Sequence, residues 1–228
     1  MLLDLVFSDG DYTSLNNFIP TFVIEVEGEV DPTEDVYGCM DESASNYNID
    51  ANIDDSSCIY SQTIDINSGW SLVSTYIQPD NIDVSIVFSP LENHIVLLKN
   101  NEGSAYLPEW NFNGIGDIIA GQGYQIKLNS DQQLTIFGER LLPELTPIDL
   151  TLGWNLIAYL RQSPADVAAV FQEMLISGSL VIVKDSEGNA YLPEWAFNGI
   201  GGMFSGKAYQ IKTNEAYTLI YLSNNQDY

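Results

Sequence analysis

Basic side chains are scarce in this sequence. The chain of 228 residues has 7 Lys and Arg against 32 Asp and Glu, for a formal net charge of −25 at pH 7, and no basic residue precedes Lys99. A surface this acidic repels phosphate backbones and anionic lipid headgroups. We therefore expect no nucleic-acid binding and no membrane binding. Such a surface suits a salty medium, or a protein that collects divalent cations.

Long apolar runs and catalytic motifs are also missing. No apolar run approaches the roughly 18 residues that a membrane-spanning helix needs, so we expect no membrane insertion. The single histidine, His94, has no counterpart in the second half of the chain, and no G-x-S-x-G occurs. Glu109 and Glu194 are candidates for a glycosidase-like carboxylate pair, but exposed turn carboxylates are the simpler interpretation. We expect no catalytic site.

Cysteine is almost absent, and the two that occur, Cys39 and Cys58, bound one short segment, "YGCMDESASNYNIDANIDDSSCIY". This segment has few large aliphatic side chains, so it cannot build a core and needs a covalent staple. A disulfide between the two cysteines would place the protein outside a reducing cytosol. The N-terminus "MLLDLVFSDGDY" lacks the cationic start of a signal peptide. We therefore expect either that an export signal was removed or that the protein leaves its cell without one.

Oxygen-bearing side chains fill the segment between the cysteines. Alternate oxygen donors in a loop suit Ca²⁺, which takes six to eight oxygen ligands. The EF-hand pattern is not followed, because its turn Gly and its final Glu are missing. Two interpretations stay open: a calcium loop, or a disulfide-held loop of Asx turns without metal. The candidate calcium ligands are Asp41, Asn46, Asn48, Asp50, Asn52, Asp54 and Asp55.

An internal repeat occupies the rest of the chain. "IDINSGWSLVSTYI" is matched by "IDLTLGWNLIAYLR", and "YLPEWNFNGIG", from Tyr106, returns as "YLPEWAFNGIG" from Tyr191 with one substitution. Elsewhere roughly a third of the aligned positions are identical, which establishes duplication. A period near 85 residues is right for tandem small domains.

The pattern predicts an α+β fold that is mostly β. Each copy should have an antiparallel sheet and one helix: "SPADVAAVFQEML", capped by Ser163, in the second copy, and a shorter helix near residues 80–91 in the first. Gly103 and Gly188 should supply the positive φ of a hairpin turn. The predicted units are an N-terminal β segment or assembly arm (1–36, with Ile24 and Val26 on one face of a strand), the loop module (37–60), repeat domain A (61–143) and repeat domain B (144–228).

The repeated phrase permits two interpretations. In one, Tyr106 and Trp110, with Tyr191 and Trp195, lie on one face and form a ligand platform. In the other, which we favour, the phrase is a structural corner at the end of a strand, whose Trp fills a small core. Glycines at four positions would then give the turn its positive φ: Gly114, Gly116, Gly199 and Gly201. Trp70 and Trp154 lie in strand patterns and are predicted to be core residues.

Two stretches carry a resemblance to known families. "GCMDESASNYNIDANIDDSSCIY" resembles a Cys-bounded, Asx-rich module of secreted proteins of marine Bacteroidota and structural proteins of marine viruses; that family usually has Gly where this chain has Ser56. "GWSLVSTYI…GQGYQIK" and "GWNLIAYL…GKAYQIK" resemble the "GWNLIS…GxGYxIK" domains of large Bacteroidota surface proteins. Both resemblances imply an exterior setting without enzymatic activity.

We therefore expect a non-enzymatic structural or adhesive protein of the exterior, a component of a virion or a cell surface. Its partners would be other protein subunits of that assembly. The alternative is a carbohydrate-binding module that uses the Tyr and Trp residues of the repeated phrase on glycans. The expected location is extracellular, at a cell surface or in a virion.

Overall fold

The computed structural model describes residues 34–227. The strand predicted around Ile24 and Val26 lies outside the described residues. From Val36 onward the chain forms one unit. It begins with the loop module, in which two short strands, β1 (Tyr37–Gly38) and β2 (Ile53–Asp54), pair in parallel.

Copy A is built from strands whose side chains alternate between core and solvent. In Tyr124–Leu128, for example, Tyr124, Ile126 and Leu128 are buried, while Gln125 and Lys127 face outward. The strands are β3 (Tyr60–Ile66), β4 (Gly69–Val73), β5 (Ile77–Gln78), β6 (Ile95–Lys99), β7 (Ala105–Leu107), β8 (Phe112–Asn113), β9 (Tyr124–Leu128) and β10 (Gln132–Arg140).

Copy B repeats this plan. Its strands are β11 (Ile148–Leu150), β12 (Gly153–Ala158), β13 (Ala165–Asp166), β14 (Leu180–Lys184), β15 (Ala190–Leu192), β16 (Phe197–Asn198), β17 (Gly202–Met203), β18 (Ala208–Thr213) and β19 (Tyr217–Leu219).

The two copies have the same topology, and the predicted mostly β, α+β fold is confirmed. The main sheet has the order β4-β9-β6-β7-β8 in copy A and β12-β18-β14-β15-β16 in copy B. The first and last strands of each copy pair in a separate sheet: β3 with β10, which also pairs β5, and β11 with β19. The predicted hairpin glycines are confirmed as well, with φ of 84° at Gly103 and 89° at Gly188.

Short helices cover one side of each copy. In copy A, α1 (Val84–Val87) precedes a 3-10 turn at Ser89–Leu91, as predicted for residues 80–91. In copy B, α2 (Val167–Val170) and α3 (Gln172–Ser177) meet at Phe171. The predicted start of this helix was wrong. Residues 165–166 pair with β17, and Asp166 rather than Ser163 caps the helix, accepting from the Ala168 N–H at 2.8 Å.

Each copy encloses its own apolar core between its sheets and helices. The core of copy A centres on residues such as Ile66, Leu98 and Ile126, and that of copy B on residues such as Tyr159, Phe171 and Ile211. Each duplicated sequence therefore specifies its own packed centre.

Main-chain hydrogen bonds join the copies. Val73 bridges to Lys207, and the equivalent pair, Ile157 and Gln122, bridges in the same antiparallel sense. These pairs are related by the repeat, so each copy offers the same surface to the other. A small shared core of Leu72, Leu156 and Ala208 lies at this contact. The contact between copies that their modest size leads us to expect is therefore present.

Candidate functional site

The repeated phrase forms a corner at the far edge of each main sheet. In copy A, β7 ends at Leu107, a 3-10 turn spans Pro108–Trp110, and Asn111 takes a left-handed φ of 49° before β8 begins. In copy B the 3-10 turn spans Pro193–Trp195. The proline ends the strand in both copies, since it has no N–H for the ladder.

Trp110 and Trp195 do not fill a core. Each is 74% exposed, the highest value among the described tryptophans. The prediction of a core-filling Trp was wrong because the 3-10 turn after the proline directs both indole rings away from the sheet. Two large apolar rings are instead held in solvent at equivalent positions.

The tyrosines of the phrase belong to the cores of their copies, whereas the tryptophans face solvent. Tyr106 and Tyr191 are buried, at 4% and 7% exposure, and burial raises the pKa of both phenols. The predicted Tyr–Trp face is therefore wrong, because the turn at the proline breaks the alternation that would have aligned the two rings. Only the tryptophan of each pair faces solvent.

The second exposed aromatic residue of each corner is a phenylalanine rather than the tyrosine. Phe112 and Phe197, two residues after each Trp, are 50% and 53% exposed. Sequence reasoning missed them, although their repetition within the phrase was a signal. Each corner thus presents one Trp and one Phe to solvent.

The glycines of the phrase have two different roles. Gly116 and Gly201 have positive φ, at 78° and 67°, as predicted. Gly114 and Gly199 do not have positive φ, so that prediction was wrong. They make room for a ring: a Cβ on Gly114 would lie 2.9 Å from Cζ of Phe112, and one on Gly199 would lie 3.0 Å from the ring of Phe197. The glycine therefore leaves the space that the phenylalanine ring occupies.

Asparagine fastens the corner to the helix. In copy A, the Asn113 side chain accepts from the Gly116 N–H at 2.9 Å and donates towards Asp83, which caps α1. In copy B, Asn198 donates to Asp166 at 3.2 Å and accepts from the Gly201 N–H. The second half of the phrase is therefore a structural tie, whereas its Trp and Phe are presented to solvent.

A cleft of mixed polar and apolar lining adjoins the corner of copy A. It has a volume of about 370 Å³ and is lined by Glu92, Asn93, Ile95, Val96, Pro108, Glu109 and Asn129. Glu109 and its counterpart Glu194 are both exposed. The carboxylate and amide groups of the cleft provide hydrogen-bond donors and acceptors, and two residues of the corner, Pro108 and Glu109, belong to its lining.

Trp70 and Trp154 are not core residues either. They are 46% and 48% exposed, on the outer face of β4 and β12. Lysine ammonium groups lie over their rings: Lys127 at 5.8 Å and Lys99 at 5.9 Å from the centroid of Trp70, and Lys184 at 5.2 Å from that of Trp154. The prediction failed because Trp70 shares a face with Leu72, and Leu72 is buried against the other copy rather than in the core of copy A.

The loop module contains the predicted disulfide between Cys39 and Cys58. A structural disulfide is typical of proteins outside the cytosol. Among residues 34–227, no helix is long and apolar enough to cross a membrane.

The oxygens proposed as calcium ligands take part in local turns. Asp41, Asn48, Asp54 and Asp55 each accept from the main-chain N–H two residues ahead, at 2.8–3.1 Å. Asn46 bridges to Ser57 and Ile59, and Asn52 accepts from the Val36 N–H. Asp50 is exposed. In the described part of the chain no three Asp, Glu, His or Cys residues are grouped as a metal site, and calcium binding stays a prediction.

Asp41 also connects the module to copy A. Its carboxylate accepts from the Tyr60 hydroxyl at 2.9 Å and lies 4.0 Å from the Arg140 guanidinium, which stacks 3.8 Å from the Tyr60 ring centroid. Hydrogen bonds from Ser43, then that from Tyr60, lower the pKa of Asp41 to about 2. The module is thus fixed to β3 and β10 by a small charged cluster.

Comparisons with protein-family models, with curated proteins and with solved structures find no match to this chain.

Proposed function

We propose that this protein is a non-enzymatic adhesive protein of the exterior that binds glycans through its two corners. The observation that carries the proposal is the exposed Trp–Phe pair at equivalent positions of both copies. Sugar rings have apolar faces that stack on exposed indole and phenyl rings, while their hydroxyls need polar partners nearby. This is the carbohydrate-binding alternative of the sequence analysis, with Phe112 and Phe197 in place of the tyrosines.

Duplication supports this proposal. The copies differ at most aligned positions, yet the phrase differs by one residue, Asn111 against Ala196. The structural tie accounts for Asn113 and the glycines, but it does not account for an indole ring that is 74% exposed. Retaining that ring in both copies is understandable if it contacts a ligand.

The cleft of copy A supports it further. Two corner residues, Pro108 and Glu109, line it together with Glu92, Asn93 and Asn129, and the carboxylate and amide groups among these side chains can accept and donate hydrogen bonds to sugar hydroxyls. The disulfide supports an exterior location, because such bonds persist under oxidising conditions.

A glycan-array screen of the full chain, repeated with the double variant Trp110→Ala/Trp195→Ala, tests the proposal. We expect the wild type to bind glycans and the double variant to lose that binding with its melting temperature nearly unchanged. Phe137→Ala is the matched control, since Phe137 is 56% exposed on β10, outside the corners. An absence of glycan binding, or equal binding by the double variant, would contradict the proposal.

The same corners favour a second candidate, assembly with other protein subunits of a cell surface or virion. Among residues 34–227, no strand pairs with the outer edge of β8 or β16, the last strands of their sheets, and each of these edges lies beside an exposed Phe. A strand from another subunit could add to that edge. Cross-linking in the native source would identify such a partner, and the tryptophan variants would then lose assembly rather than glycan binding.

A further inference from the structure

A row of side chains crosses the outer face of each main sheet, from the tryptophan of its first strand to the phenylalanine of the corner. In copy A, Trp70 pairs with Lys127, which in turn lies opposite Leu97. Leu98 of β6 pairs with Tyr106 of β7, so the next position in this register places Leu97 opposite Leu107. Leu107 in turn pairs with Phe112. Row A is Trp70, Lys127, Leu97, Leu107 and Phe112.

Row B differs from row A at one position, where Ile182 replaces Leu97. Trp154 pairs with Lys212, Lys212 lies opposite Ile182, and Leu192 pairs with Phe197. Neighbouring strands lie about 4.8 Å apart, so a row across five strands is about 19 Å long. Row B is Trp154, Lys212, Ile182, Leu192 and Phe197. Each row leads into the corner that carries Trp110 or Trp195, so the corner is one end of a longer surface.

The lysines of the protein are concentrated along these rows. Of the five lysines, Lys127 and Lys212 are row members, and Lys99 and Lys184 lie over the tryptophans of the rows. The fifth, Lys207, pairs with Glu187 at 3.5 Å. Within residues 34–227, none of these first four lysines forms a salt bridge, although the chain has 32 acidic residues. Cations without carboxylate partners in so acidic a protein favour an anionic ligand.

We infer that each row binds an extended, sparsely charged anionic polysaccharide, whose sugar faces rest on the aromatic ends and whose carboxylate groups pair with the lysines. This inference rests on the glycan-binding function proposed above and names the class of glycan. The length of the row calls for a chain rather than a single terminal sugar. Two lysines per row match a polymer with occasional charges, whereas a dense polyphosphate would be repelled by the surrounding acidic surface.

Two cellulose ethers of the same backbone provide the probes: carboxymethyl cellulose, which is anionic, and hydroxyethyl cellulose, which is neutral. Binding is measured by calorimetric titration of the full chain near physiological salt. At this salt concentration the Debye length is about 8 Å, so the long-range effect of the net charge is screened. We expect tighter binding to carboxymethyl cellulose. The variant Lys127→Gln/Lys212→Gln should lose about tenfold in affinity for it, as for one lost charge-assisted contact, and should keep its affinity for the neutral polymer.

Lys207→Gln is the control for each single substitution, because it removes one positive charge outside the rows, and it should leave both affinities unchanged. Equal affinity of the wild type for the two polymers would overturn the inference, as would an equal loss in the Lys207 variant. Tighter binding to oligothymidine than to carboxymethyl cellulose would also overturn it, in favour of a polyphosphate ligand. If Trp110→Ala/Trp195→Ala loses binding to both polymers while the lysine variant keeps binding to both, the glycan-binding role of the corners is supported and the anionic class of glycan is wrong. If the tryptophan variant loses neither, the proposed function itself fails.

Discussion

Gly123 and Ala208 face each other where the two copies meet. A Cβ on Gly123 would lie 2.6 Å from the Cβ of Ala208 and 2.8 Å from the carbonyl oxygen of Ile157. The two residues are equivalent in the repeat, "GQGYQIK" against "GKAYQIK". The contact therefore accepts one methyl group and has no space for a second.

Gly123→Ala should destabilise the protein by about 1–3 kcal/mol, because overpacking a fitted contact forces the backbone apart. Urea unfolding measures this loss. Ala208→Gly is the control, since it removes a methyl group from the same contact without creating a clash. Equal stability of Gly123→Ala and the wild type would show that the copies are not packed as described.

Trp110→Ala should change the free energy of unfolding by no more than about 0.5 kcal/mol, because the indole is exposed. Tyr106→Ala, four residues earlier, removes a buried ring and should cost about 3–5 kcal/mol. Thermal and urea unfolding of the two variants provide the comparison. A larger loss for Trp110→Ala than for Tyr106→Ala would restore the core-filling role that the sequence suggested.

Ala196 has a left-handed φ of 50°, which residues other than glycine seldom adopt. Copy A has Asn111 at the equivalent position, and asparagine tolerates this region better than alanine. Ala196→Asn should therefore stabilise copy B by about 0.5–1 kcal/mol, from the relief of part of that strain. The reverse change, Asn111→Ala, should destabilise copy A by a similar amount. Stability changes of the opposite sign in denaturant unfolding would contradict this account.

Asp41 should make the stability of the protein depend on acid pH. Its pKa is about 2 in the folded chain against an ordinary value of 3.8, so the folded state binds fewer protons than the unfolded state between these values. The contribution is fully present above pH 3.8 and is lost as the pH falls through about 2. Thermal unfolding of the wild type and Asp41→Asn should differ at pH 5–7 and converge at pH 2. A constant difference at every pH would contradict this linkage, and Asp50→Asn, an exposed change in the same module, serves as control.

If the loop module binds calcium, calcium should raise the melting temperature above that in chelator, because each tenfold excess over the dissociation constant adds about 1.4 kcal/mol to the free energy of unfolding. Melts in calcium, in magnesium and in chelator measure this, with Asp54→Asn/Asp55→Asn as the variant that should lose the effect. Identical melts in all three solutions would leave the alternative interpretation, a disulfide-held loop of Asx turns.

The sequence predicted the parts of the fold that depend on local patterns. The residue pattern predicted an antiparallel sheet in each copy, Gly103 marked a hairpin turn, and isolation in an aliphatic-poor segment marked Cys39 and Cys58 as a pair. Repetition predicted that the two copies would share one topology. Each of these signals can be read from the sequence without knowledge of which distant segments contact one another.

The direction of the tryptophans could not be read in the same way. In "GWSLV", Trp70 and Leu72 share a face, and so do Ser71 and Val73, so both faces look partly apolar. The outer face is the one that carries Trp70, because Leu72 is covered by the second copy. The direction of Trp110 depends on the 3-10 turn after Pro108, which alternation does not describe. A contact between distant segments decided the direction of Trp70, and a local turn decided that of Trp110.

The main-chain hydrogen bonds between the copies have a consequence for binding strength. They fix the distance and orientation between rows A and B. A polymer bound to one row would therefore have a high effective concentration at the other row. A second contact that fits this spacing would raise the overall avidity by about 10²–10⁴ over that of a single row. Weak individual rows would then suffice to retain the protein on a polymer surface, while short soluble fragments would dissociate quickly and leave the rows free.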